Sequence, residues 1–206
     1  MYLPPHFAAE RASLITLIQT HPLGALIRRH EDTLDADHLP FLIEERGDTL
    51  HLLAHVARAN LLWQQADGSP VLVIFRGAEG YVSPNWYPGK AEHHRAVPTW
   101  NYAVAHAHGR LRVHDDARFV QRLLARLTRE HEAAMPRPWR MGDAPRDYLA
   151  QMLAAVVGIE VEVERLEGKF KLSQNRDTAD RAGVVTGLAT QNNAALAQAV
   201  AASKKP

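Results

Sequence analysis

Cysteine is missing altogether from the 206 residues, which excludes disulfides, thiolate zinc sites, iron–sulfur ligation and a cysteine nucleophile. An excess of one charge is missing too. The 24 Lys and Arg against 23 Asp and Glu leave a formal net charge of +1, so no overall field draws the chain to nucleic acid or to an anionic membrane, although a local basic patch stays open. No apolar run approaches the ~20 residues that cross a bilayer as a helix. The opening MYLPPHFAAE has neither the basic region nor the apolar core of a secretory signal, and the expected location is cytoplasmic. There is no internal repeat and no low-complexity linker. What remains is the make-up of an ordinary globular chain, 46% hydrophobic and 23% charged, long enough for one substantial domain with a core.

Periodicity divides the chain into strands and helices. Residues 8–20 place Leu14, Leu17 and Ile18 on one helical face, closed by His21-Pro22. LGALIRR (23–29) predicts a strand, and LPFLIEERGDTLHLLAHV predicts a hairpin around Arg46-Gly47-Asp48. ARANLLWQQ (57–65) predicts one or two helical turns, SPVLVIF (69–75) a strand, and GAEGYVSPNWYPG a turn-rich connection. A long strand follows to about Val113, then a helix over 115–134 with Asp115 or Asp116 as its cap. Residues 135–145 predict a loop, and RDYLAQML a short helix. In VGIEVEVERLEG (157–168), Ile159, Val161 and Val163 alternate with Glu160, Glu162 and Glu164, which predicts one buried and one wet face. The tail predicts helices from Arg176 to about Leu188 and over 194–202. Six or seven strands with inserted helices give an α+β domain built around a small barrel.

Five constellations could carry chemistry. His106 and His108, two apart on a strand, point the same way, but no third ligand stands at a companion spacing to them or to His93-His94. Arg118, Arg122, Arg126 and Arg129 form a stripe that could track phosphates or simply be the solvated side of an amphipathic helix, and no helix-turn-helix accompanies it. In HVARANLLW (55–63) a strand gives way to a helix start where Arg58 and Asn60 could meet a phosphate; taken by itself, an ordinary junction with a solvated Arg58 is the better reading. GKFKLSQN (168–175) sets two lysines beside a dense run of polar side chains. Tyr81, Trp86, Tyr87, Trp100 and Tyr102 lie beside small polar residues, as a flat heteroaromatic ligand requires, and as core or interface aromatics also do. Ser83 has neither a nucleophile elbow nor a readable base.

Together, MYLPPHF, HVARANLLW, YVSPNWY, VPTWNY and LEGKFKLSQN, in this order, resemble the PaiB-like family of FMN-binding split-barrel proteins, labelled negative transcriptional regulators. The resemblance implies an α+β fold, a six-stranded FMN-binding split β-barrel with peripheral helices that forms a homodimer, with FMN at the dimer interface. It implies a barrel domain over 1–175 and a helical extension over 176–206, packed on the barrel or on the partner chain. It also implies that His55, Arg58 and Asn60 meet the FMN phosphate and that Thr99, Trp100 and Asn101 line the isoalloxazine. Lys169, Lys171, Gln174 and Asn175 would join them from the same or the partner chain. Leu61 departs from the family's pattern, which carries proline there. The implied function is a flavin-binding negative regulator of transcription with a possible DNA or transcription-related partner. A flavin-dependent oxidoreductase of small molecules is one alternative. The other is a haem-binding or haem-degrading protein with His55, His93, His94, His106 or His108 as axial ligand.

Overall fold

The computed structural model describes residues 1–203, the side chains of Glu92 and His93 excepted. After a 3₁₀ turn at Pro5–Phe7, helix α1 (Arg11–Thr20) buries Leu14, Leu17 and Ile18, the face its spacing predicts. Strands β1 (Leu23–His30), β2 (Thr33–Pro40), β3 (Leu42–Arg46) and β4 (Thr49–Ala57) follow. Next come α2 (Leu62–Gln65), β5 (Pro70–Val82), α3 (Lys90–His93), β6 (Thr99–His114), α4 (Ala117–Glu132) and α5 (Arg146–Ala154). The chain ends with β7 (Val156–Lys171), α6 (Thr178–Thr190) and α7 (Ala194–Ala202). The seven strands form one sheet in the order β2-β1-β5-β6-β7-β4-β3, with β1 antiparallel to β2 and β5, and β4 antiparallel to β3 and β7. The architecture is α+β, with seven strands where the family resemblance implies six.

The unannounced strand is β2. Its sequence TLDADHLP lacks apolar alternation because it lies at the sheet's edge, with Leu34 left 74% exposed. Strand β5 also outruns expectation. The glycines of GAEGYV read as turn signals, yet here they serve close packing. A Cβ on Gly77 would stand 2.6 Å from a Leu17 methyl, and one on Gly80 would stand 2.7 Å from the Asn193 amide.

Two compact units divide the residues, and β5, β6 and β7 each pass from one into the other. Unit 1 comprises Met1–His21, Phe75–His106 and the chain from Glu167 on. Its C-terminal helices α6 and α7 bury Val184, Leu188, Leu196 and Val200 in one cluster with Val82, Tyr87 and Leu172. Gly183 and Gly187, four apart on one face of α6, meet Trp86, the first its backbone carbonyl and the second its indole ring. Unit 2 comprises Pro22–Ile74 and Ala107–Leu166. There α4 is capped by Asp116, whose side chain accepts from Phe119 N at 2.7 Å, and it packs Leu123 and Leu127 on Leu42 and Leu53.

The wet face expected for β7 needs correcting at one residue. Glu160 is only 4% exposed. Its carboxylate accepts from Arg46 Nη1 at 2.8 Å, lies 2.6 Å from His51 Nδ1 and lies 3.1 Å from His114 Nε2. Three polar neighbours replace the water that alternation alone would assign to it.

Candidate functional site

In unit 1 the predicted residues of β6 divide between the two faces of the strand. Asn101 is 1% exposed and points inward with Ala103, whereas Trp100 is 49% exposed on the opposite face. Trp100 pairs edge-to-face with Tyr81, ring centres 6.5 Å apart. Thr99 and Asn101 therefore share a face from which Trp100 is excluded. Asn101 Nδ2 donates to Ser173 Oγ at 2.8 Å, and Asn101 Oδ1 has no partner among the described residues. A buried amide oxygen left without a donor carries a desolvation cost that a ligand N–H or O–H would relieve.

The end of β7 completes this place. Lys171 Nζ donates to Thr99 Oγ1, which joins two predicted residues that lie far apart in sequence. After Lys171 the chain turns sharply through Ser173, which holds a left-handed φ of 62°. Such a conformation is uncommon outside glycine and recurs at ligand sites. Gln174 shapes this turn from within. Its Oε1 accepts from Leu172 N at 2.7 Å and its Nε2 donates to Phe170 O at 2.6 Å, so both ends of the amide are engaged by backbone. Gln174 is thus a scaffold for the site, whereas Asn175 is exposed.

Two cations flank Lys171. Lys169 lies 5.5 Å from the ring centre of Tyr2 and 5.8 Å from those of Phe7 and Tyr102. Arg176 lies 4.7 Å over Tyr87. Burial pushes the Lys171 ammonium below its usual pKa, and the charges of Lys169 and Arg176 push it the same way. Ser173 belongs to the polar run of 168–175, whereas Arg176 is a functional candidate without a signal of its own in the sequence. Only the fold brings Ser173 to Asn101 and Arg176 to Tyr87.

Unit 2 holds the other predicted group. His55 is half-buried on β4, lines a cavity of about 320 Å³ with Leu124, Leu127 and Trp139, and is held below its usual pKa by burial, which favours the neutral imidazole. Its Nδ1 has no partner among the described residues. Arg58, by contrast, is fully engaged. Nη2 and Nη1 donate to the two Asp115 carboxylate oxygens at 2.6 and 3.1 Å, and Nε donates to the Ala154 carbonyl at 2.7 Å. Asp115 is in turn held below the usual carboxylate range by its hydrogen bonds from Arg58. Asn60 is engaged as well, donating to Asp37 Oδ1 at 2.7 Å and accepting from Leu62 N at 2.8 Å, just ahead of α2. At Leu61, φ is −74°, a value that proline also adopts.

Among the histidines considered as haem ligands, His94 ends α3 in a left-handed conformation and is exposed, and His106 and His108 are half-buried on β6. The side chain of His93 lies outside the described residues. The arginine stripe of α4 is exposed, and Arg126 is engaged with Glu44. Among the described residues no helix is long and apolar enough to cross a membrane.

Residues 1–165 match a family model described as "Putative FMN-binding domain". An uncharacterized protein of Emericella nidulans is 33% identical over 225 residues, which span 91% of this chain and 90% of that one. The protease synthase and sporulation protein PAI 2 of Bacillus subtilis is 28% identical over 195 residues, 94% of this chain and 91% of its own. Among solved structures, the FAD and heme binding protein of Mycobacterium smegmatis shares the fold at a TM-score of 0.54 and 20% identity, over 81% of this chain and 73% of that one. The Lys169–Asn175 block lies just beyond the residues that the family model matches.

Proposed function

The chain belongs to the FMN-binding domain family, and from that premise we propose that it is a cytoplasmic homodimer that holds FMN in a split barrel and acts as a negative regulator of transcription. The observation that carries the flavin part is the group Thr99, Asn101, Lys171 and Ser173. It combines a buried amide oxygen on β6 lacking a donor with a half-buried ammonium at the end of β7, just before the shaped turn. Bound flavin supplies reversible electron and hydride chemistry. The chain's own residues bind and orient it. Asn101 Oδ1 is free to accept from a ligand N–H, Lys171 and Thr99 present donors held by each other, and Gln174 keeps the turn in shape.

The regulatory part draws on the name of the Bacillus relative, which ties that protein to protease synthesis and sporulation. Regulation then proceeds through the flavin-bound dimer and a transcription-related partner, because α4's arginines face solvent beside Glu130 and lack a helix-turn-helix frame. A second reading, flavin-dependent reduction of small molecules, is favoured by the exposed Tyr81–Trp100 pair, a platform for a planar substrate.

The test is a visible spectrum of the purified protein before and after FMN addition and desalting. Flavin retained at about one per chain supports the reading, and wild-type protein that retains none sinks it. Bleaching of the retained flavin by NAD(P)H then favours the oxidoreductase, and its absence favours the regulator.

A further inference from the structure

On α4, Leu124, Leu127, Thr128 and His131 follow one another at helical spacing and share one face. That face, with His55 of β4, lines the cavity of about 320 Å³. A second cavity, of about 480 Å³, shares Thr128, Glu132 and Trp139 with it and continues between Ala125 and Met141. Spaces of this size suit a small molecule. The wall they share is fixed. Glu132 Oε2 accepts from Trp139 N at 2.8 Å, and just past it Arg140 N donates to Asp143 Oδ2 at 2.9 Å. Pro136 and Pro138 restrict the backbone ahead of Trp139. Trp139 is nonetheless 42% exposed, so a large apolar side chain is held in place with surface still to cover.

The lining decides what fits. Among the described residues around the His55 cavity there is no lysine or arginine, and the one carboxylate is Glu132. Burial favours the neutral His55 imidazole. An anion here, the phosphate that the family resemblance implies for His55 included, meets repulsion and no counter-charge. A neutral imidazole carries one N–H and one lone pair. Nδ1 is buried without a partner among the described residues, so Nε2 is the nitrogen left to meet a ligand. A hydroxyl answers Nε2 in either tautomer, as donor or as acceptor. We propose that this cavity binds an uncharged phenol, its aromatic body against Leu124, Leu127 and Trp139 and its hydroxyl paired with His55. Thr99, Asn101 and Lys171, which carry the flavin reading, belong to unit 1, whereas every residue lining this cavity belongs to unit 2.

The experiment is calorimetric titration of the full-length protein at neutral pH with 2-naphthol, naphthalene and 2-naphthoate, which share one body and differ in hydroxyl and charge. Wild type, His55→Phe and Trp139→Ala are compared. Wild type should bind the naphthol at about one per chain and naphthalene about 3- to 10-fold more weakly, the scale of one neutral hydrogen bond. The naphthoate should bind more weakly still. His55→Phe should abolish the preference for the hydroxyl, and Trp139→Ala should weaken both uncharged ligands by about tenfold. The proposal is overturned if wild type does not saturate with the naphthol or if the naphthoate binds as tightly. It is overturned as well if both variants keep the wild-type affinities together with the wild-type circular dichroism and melting temperature. Repeating the titration in excess FMN separates this site from the flavin's. An unchanged naphthol affinity keeps the two apart, and displacement by FMN overturns the proposal. A wild type that binds no flavin yet binds the naphthol through His55 removes the flavin reading and leaves this site standing.

Discussion

In unit 2, Arg46, Arg58, Arg110, Arg112 and Arg126 each lie on a carboxylate. In unit 1, Lys169, Lys171 and Arg176 lie on aromatic rings or a hydroxyl. The difference separates two uses of positive charge. Paired surface arginines contribute little each to stability and present a nearly neutral exterior. Cations held by neutral groups are fixed in place without a counter-charge in contact with them. The family resemblance implies Arg58 as a phosphate contact, and an arginine at a strand-to-helix junction has the chemistry for it. In the structure its guanidinium is engaged by Asp115, 57 residues away in the chain.

The largest way to disturb this contrast lies at Glu160, where unit 2 buries a charge outright. Glu160→Gln takes away the buried carboxylate that Arg46, His51 and His114 share and should cost on the order of 3 kcal/mol in chemical denaturation. Burial raises the Glu160 pKa, but Arg46, His51 and His114 outweigh it and hold the carboxyl below its ordinary 4.5. Folding therefore favours the charged form. The stability it brings is complete above about pH 4.5 and is lost as pH falls through the lowered native value. The acid limb of the wild-type stability curve should flatten in Glu160→Gln, and a limb of unchanged steepness would assign the acid sensitivity elsewhere.

A smaller effect is expected at Gly183 in unit 1. An added Cβ meets the Trp86 carbonyl, a backbone atom that cannot swing aside, so Gly183→Ala should destabilise by about 1–3 kcal/mol through overpacking, read as a lowered denaturation midpoint. The smallest effect on stability, and the sharpest on the comparison, comes from Arg58→Ala. Its side chain is 41% exposed, so little stability should be lost. FMN affinity should stay unchanged in a fluorescence titration, and a tenfold fall would return the phosphate to unit 2.

Most of the fold is legible in the sequence wherever burial and periodicity coincide. Leu14, Leu17 and Ile18 announce α1, and the apolar side of α4 announces its packing on β3 and β4. Legibility fails where a neighbour remote in sequence decides the outcome. Strand β2 has no buried stripe of its own and is defined by its ladder with β1. The glycines of β5 read as turns because only Leu17 and Asn193 reveal why a side chain is forbidden there. The site divides in the same manner. Lys171, Thr99 and Asn101 could be selected from local polar and aromatic runs. Trp100 takes the other face by strand alternation, but the pairing of Asn101 with Ser173 needs the fold, which sets β6 beside β7.

Trp86 lies flat on a helix stripped of side chains at Gly183 and Gly187, and that gives the molecule an optical gauge. An indole laid against peptide backbone changes its surroundings abruptly when the helix lifts, whereas Trp100, already half in water, changes little. Emission from Trp86 therefore registers whether α6 is seated, and a chain in which Trp86 is the sole remaining tryptophan would show the C-terminal helices docking in real time.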